Sequence, residues 1–279
     1  MKHILMATDL SARSDRALQR AVALALRRGA SLEVMHVVDD TLPPTIIELQ
    51  KAAARTLIER LLAAIPDSTG VKTAIEIVPG CAHNAILQRA ATIAADLIVL
   101  GITRYGINEL FRGTTAERIV RLGQYPVLLV KEPAIENYRR VLMASDGSPA
   151  ALRAMACAID MVQDAEFFLL HAIHVPFKGL LGSEAQQSIR TEQVERFGQT
   201  LEDEFQAQVE KVGIAPPKRT IVVEEGEIHD VIRAQITRLK PDLLALGTHG
   251  RAGLRHLLVG SVAADMLSDP PVDVLVAKD

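Results

Sequence analysis

The chain has 279 residues, of which 49% are hydrophobic and 23% charged, and a formal net charge of −3. That length buries a sizeable core in one or two domains, and the composition excludes a disordered chain. The slight negative charge gives no electrostatic basis for binding nucleic acid or an anionic membrane, and no apolar run reaches the roughly 18–20 residues of a transmembrane helix.

Residues 3–8 are an apolar run too short for the core of a signal peptide, and they are read as the first strand. Short stretches rich in Val, Ile, Leu and Met then alternate with helical ones. Helices are expected at about 11–28, 43–65, 82–94 and 114–123, and again at about 148–163, 183–211, 227–239 and 260–268. Ser11 and Ser148 have the chemistry of N-caps, and Pro149 suits a first helical turn. The strands lack strict alternation, as strands covered on both faces do. Strands alternating with helices imply an α/β fold, a parallel sheet with helices on both faces and right-handed crossovers. The two cysteines, Cys81 and Cys157, are far apart and form no CxxC pair, which points to a reduced cytoplasmic setting.

The chain is a duplication. Residues 3–11 (HILMATDLS) recur at 140–148 (RVLMASDGS), an offset of 137. His36 matches His171 at 135, Gly80 matches Gly226 at 146, and Gly101 matches Gly247 at 146. From Gly113 and Gly260 to the last strands, 127–130 and 274–277, the offset is 147. Two domains are therefore expected, 1–134 and 138–279, each Rossmann-like with five parallel strands. The rise in offset puts about eleven extra residues in or before the helix at 183–211. The last step removes one residue from the first copy between Gly101 and Arg104, leaving Gly250 without a counterpart.

In open parallel sheets ligands sit beyond the carboxyl ends of the strands. In the second copy those ends are Ala144, Ser145 and Asp146, then Ala172, then Gly247. Gly247 opens a loop that reaches Gly260, Ser261 and Val262 at the start of the last helix. Gly247 and Gly250 allow close backbone approach and can supply positive φ, and free N–H groups at a helix start favour an anion. His249, Arg251, Arg255 and His256 make the loop electropositive. No P-loop, no HxxxH pair and no cysteine cluster is present, so no protein-built metal site is expected. With no P-loop lysine and no assignable general base, binding is favoured over committed catalysis.

The spacing Gly-x2-Gly-x9-Gly-Ser at 247–261, with ASDGS at 144–148, resembles the universal stress protein family, in its tandem-domain form. The resemblance spans nearly the whole chain. It implies a stress-response protein that binds ATP with Mg²⁺. Asp146 and the region of Ala172 would meet the nucleoside, and Gly247, Gly250, Gly260, Ser261 and Val262 the ribose and phosphates. It also implies an intramolecular pseudo-dimer through the last strand of each copy, and leaves a further homodimer open. The first copy retains Asp9, Gly101, Gly113 and Thr114 but lacks the middle glycine. Its site is expected to be weaker or empty. Two rival readings are a slow ATPase or other nucleotide hydrolase, and a scaffold for another small molecule or protein.

Overall fold

The computed structural model describes residues 1–102, 114–134, 136–174, 183–250 and 259–279. The first half contributes strands β1 (His3–Thr8), β2 (Ser31–Val38), β3 (Thr73–Pro79), β4 (Leu97–Gly101) and β5 (Val127–Val130). Its helices are α1 (Ala12–Arg28), α2 (Pro44–Ala64), α3 (Ala82–Thr92) and α4 (Thr115–Leu122). The second half contributes β6 (Arg140–Ala144), β7 (Glu166–Ile173), β8 (Arg219–Glu225), β9 (Leu243–Gly247) and β10 (Asp273–Ala277). Its helices are α5 (Pro149–Met161), α6 (Ser183–Val212), α7 (Ile228–Leu239) and α8 (Ser261–Ser268).

The helix starts follow from local chemistry. The Ser11 hydroxyl accepts from the Ser14 amide, and the Ser148 hydroxyl accepts from that of Ala151, with Pro149 at the first helical position. Most of the extra length of the second half is helix, since α6 has 30 residues where α2 has 21.

The ten strands form one sheet in the order β3-β2-β1-β4-β5-β10-β9-β6-β7-β8. Pairing within each half is parallel, and β5 meets β10 antiparallel. Val127 faces Val276, Leu128 faces Leu275, and Leu129 faces Val274. Leu128 and Leu275 are equivalent under the 147-residue offset, so this register maps onto itself, as in an isologous contact.

Side-chain alternation along the strands sends residues to two cores. Ile4, Met6 and Leu128 pack under α1, α2, α5 and α6 with Leu18, Ile58, Met155 and Phe205. Leu5, Val127 and Leu129 pack on the opposite face with Ile86, Ile119, Ile232 and Met266. Each core runs across both halves, which is why β5 and β10 are buried throughout. A buried polar cluster fixes the connection between the halves. Asp273 accepts from the Lys131 amide (2.8 Å), the Glu132 amide (2.9 Å) and the Tyr138 hydroxyl (2.5 Å). Arg20 lies over the Tyr138 ring at 4.0 Å and donates to the Glu136 carbonyl at 2.7 Å.

Candidate functional site

Strand order reverses beside β1 and β6, and each reversal opens a crevice at the strands' carboxyl ends. In the second half the crevice has a volume of about 270 Å³. Of the residues singled out from sequence, Ala144, Ser145, Asp146, Ala172, Gly247, Gly250 and Val262 line it. Gly260 and Ser261 lie beside Val262, as N-cap and first residue of α8. Arg251 lies outside the described residues.

The turn after β6 is held by its own polar groups. The Ser148 amide donates to Asp146 Oδ1 at 3.1 Å, and the Ser148 hydroxyl donates to the His249 carbonyl at 2.9 Å. That second bond fixes the β6–α5 turn against the loop after β9. The same loop is anchored where the Thr248 amide donates to the Ala277 carbonyl and the Gly260 amide to the Thr248 carbonyl, both at 2.8 Å. The Ser145 hydroxyl is turned toward α6, donating to Glu204 Oε2 at 3.2 Å.

The positive φ expected at the glycines is not found there. Neither Gly247 nor Gly250 has positive φ, which falls instead on Gly147 at 72°. A Cβ on Gly247 would lie 2.6 Å from the Ala151 nitrogen, so this glycine lets α5 lie against the end of β9. A Cβ on Gly250 would lie 2.6 Å from Asp146 Oδ2, so Gly250 brings the loop backbone against the carboxylate that ends β6. Among the described residues no side chain caps α8 at Gly260, and Val262 in its first turn lines the crevice.

The first half has an equivalent crevice of about 380 Å³, lined by Asp9 and Gly101 among others. Gly113 lies outside the described residues. Thr114 closes its own helix. Its hydroxyl accepts from the Glu117 amide, and its amide donates to the Glu117 carboxylate. Asp9 Oδ1 accepts from the Ser11 amide (2.9 Å) and the Ser14 hydroxyl (2.6 Å). Partial desolvation pushes the Asp9 carboxyl up, but the hydrogen bonds from Ser11 and Ser14 outweigh it and hold the group below the usual carboxylate value. Ala151 stands where the first half has Ser14, so that hydroxyl contact has no counterpart.

Two sets of residues at the crevices were not nominated from sequence. His36 and His171 match in the repeat, at an offset of 135. Each lines its crevice and bonds through Nδ1 to a strand-end carbonyl, Thr8 at 2.8 Å and Ser145 at 2.7 Å. A carbonyl only accepts, so Nδ1 carries the proton and Nε2 is left for other partners. The second set is at the start of α8. His229 Nε2 lies 3.4 Å from Ser261 Oγ, and His229 Nδ1 lies 3.4 Å from Asp265 Oδ2. Arg233 donates to the same carboxylate oxygen at 3.0 Å.

Comparison with known proteins gives a consistent assignment. The sequence pattern of the universal stress protein family matches residues 1–131 and again 137–278. A universal stress protein of Mycolicibacterium smegmatis is 24% identical over 99% of this chain and 96% of its own length. One from Methanocaldococcus jannaschii is 32% identical over 48% of this chain and 85% of its own. The crystal structure of a universal stress protein from Archaeoglobus fulgidus superposes with a TM-score of 0.69 at 18% identity, covering 99% of this chain and 96% of that one. At that identity the likeness concerns the fold alone, and it extends across both halves.

Proposed function

The chain belongs to the universal stress protein family, and we propose on that premise that it binds ATP, chiefly in the crevice of its second half. The observation that carries this reading is the start of α8, with no side-chain cap among the described residues, beside a glycine loop whose backbone lies close against Asp146. Helix-start amides that have no side-chain cap among the described residues, next to a crevice of nucleoside size, suit a phosphate chain. Asp146 and Ala172 would meet the nucleoside, and Gly250, Gly260, Ser261 and Val262 the phosphates. In the first half Thr114 already occupies the corresponding helix start and Asp9 holds two local donors, which supports a weaker site there.

Among the described residues no group of three or more His, Cys, Asp or Glu side chains gathers to hold a metal ion. Mg²⁺ would therefore arrive with the nucleotide, held largely by phosphate oxygens and water. Residues 1–134 and 138–279 would then be two domains whose β5–β10 pairing stands in for a dimer contact. ATP would bias the shape or partner choice of a cytoplasmic stress-response regulator. Among the described residues no helix is long and apolar enough to cross a membrane.

The test is mass spectrometry of ligand released from the purified full chain. An adenine nucleotide is the expected result. A different small molecule, or no ligand together with no binding of added ATP, would overturn the reading.

A further inference from the structure

The first crevice is built from the same elements as the second but carries different chemistry. Its volume of about 380 Å³ lies within the range of small-molecule sites. Met35, Ile86 and Leu100 give it apolar walls. Among the described residues its titratable lining side chains are Asp9 and His36, and no lysine or arginine lines it. Both titratable groups act as acceptors. Partial desolvation works against the Asp9 carboxylate, but the bonds from Ser11 and Ser14 outweigh it and hold the group ionised. His36 donates its Nδ1 proton to the Thr8 carbonyl at 2.8 Å, so Nε2 of the neutral ring is an acceptor. The Ser14 hydroxyl donates to Asp9 at 2.6 Å and is not left for a ligand.

The start of α4 sharpens the contrast. Thr115 and Ala116 of its first turn line the first crevice, as Val262 of α8 lines the second. Here the chain supplies its own anion. The Glu117 carboxylate accepts from the Thr114 amide at 3.1 Å, while the Thr114 hydroxyl accepts from the Glu117 amide at 3.2 Å. Under the 147-residue offset Ala264 stands at the position of Glu117, so the second half has no such carboxylate. A carboxylate at a helix start takes the place that a phosphate group would take there. A phosphorylated ligand in the first crevice would have to displace Glu117, with Asp9 also close by. A neutral ligand with hydroxyl or amino donors meets no such conflict.

We propose that the first crevice binds an unphosphorylated nucleoside, its ring against Met35, Ile86 and Leu100 and its hydroxyl or amino hydrogens donated to Asp9 and His36 Nε2, and that Glu117 excludes the phosphorylated forms. The site is separate from the second crevice and does not depend on ATP being bound there. The two halves then differ in the charge of the ligand they accept, and the difference lies in one residue of the last helix of each copy.

The experiment titrates the full chain calorimetrically with adenosine, guanosine, cytidine and uridine, with and without saturating ATP, and then with the 5′-monophosphate of each nucleoside that binds. At least one nucleoside should bind one site per chain whether or not ATP is present. Its monophosphate should bind at least about tenfold more weakly, as a like charge beside a carboxylate requires. Asp9→Asn should weaken the nucleoside by about tenfold, the effect of losing a charged acceptor. Glu117→Gln keeps an acceptor oxygen for the cap and removes the charge, and should raise the monophosphate affinity toward that of the nucleoside. A gain of binding is a result that a damaged fold does not produce. Failure of all four nucleosides to bind, displacement of the nucleoside by ATP, or unchanged affinity in Asp9→Asn would overturn the site. A monophosphate that binds the wild type as tightly as its nucleoside, or no gain in Glu117→Gln, would overturn the role of Glu117. Nucleoside binding as described without any ATP binding would overturn the reading of the second half and leave this one standing.

Discussion

Gly247→Ala tests whether this glycine serves packing or ligand approach. A Cβ there would lie 2.6 Å from the Ala151 nitrogen and 2.8 Å from the Ala150 carbonyl carbon. Both are backbone atoms in the first turn of α5, so no rotamer change relieves the clash, and α5 must move off β9. Overpacking of this kind costs about 1–3 kcal/mol. With a urea m-value of about 2–3 kcal/mol/M, a loss of 2 kcal/mol lowers the unfolding midpoint by roughly 0.7–1 M. The assay is urea unfolding of the ligand-free protein. Gly101→Ala should behave alike, because its Cβ would lie 2.9 Å from the Arg13 carbonyl oxygen. An unchanged midpoint in Gly247→Ala, with nucleotide affinity lost, would refute the packing argument and return this glycine to the ligand.

Three further outcomes are expected. Tyr138→Phe removes the hydroxyl that donates to fully buried Asp273 and should cost about 1–3 kcal/mol in urea unfolding; an unchanged midpoint would show that the backbone donors alone satisfy the carboxylate. The lowered folded-state pKa of Asp9 contributes stability that is present above the usual carboxylate value of 3.8 and lost as pH falls through the depressed value. Ser14→Ala should therefore destabilise at neutral pH, by under about 1 kcal/mol because Asp9 is exposed, and the difference should shrink in acid; a difference that grew in acid would contradict the assigned bond. A thiol reagent should label exposed Cys81 quickly and Cys157 only on unfolding, since burial and the Asp160 carboxylate push the Cys157 thiol up to about 12; equal rates would refute this.

The elements and the duplication were legible because they rest on local chemistry and on repeated spacing. Ser11, Ser148 and Pro149 start their helices as the sequence suggests, and all eight expected helices lie within two residues of their observed ends. What escaped was pairing between distant segments. His229 and Asp265 are 36 residues apart in the chain, and only the side-by-side placement of α7 and α8 brings them together. Asp273 and Tyr138 are 135 residues apart and meet where β10 passes the connection between the halves. The sequence suggests close approach of the loop backbone to a ligand, and positive φ, whereas the close approach at Gly247 is to a helix from another part of the chain. Left-handed backbone instead falls on Gly147, and at the equivalent position of the first half on Leu10 with φ of 62°. A sequence shows that a residue is small, but not which neighbour requires it to be.

The most direct measurement of the central claim is calorimetric titration of the full chain with ATP, in wild type, Asp146→Ala and Asp9→Ala. The account predicts one dominant site in the wild type, retained in Asp9→Ala and strongly weakened in Asp146→Ala. Loss of the dominant site in Asp9→Ala, with Asp146→Ala unaffected, would place the nucleotide in the first half and contradict the account.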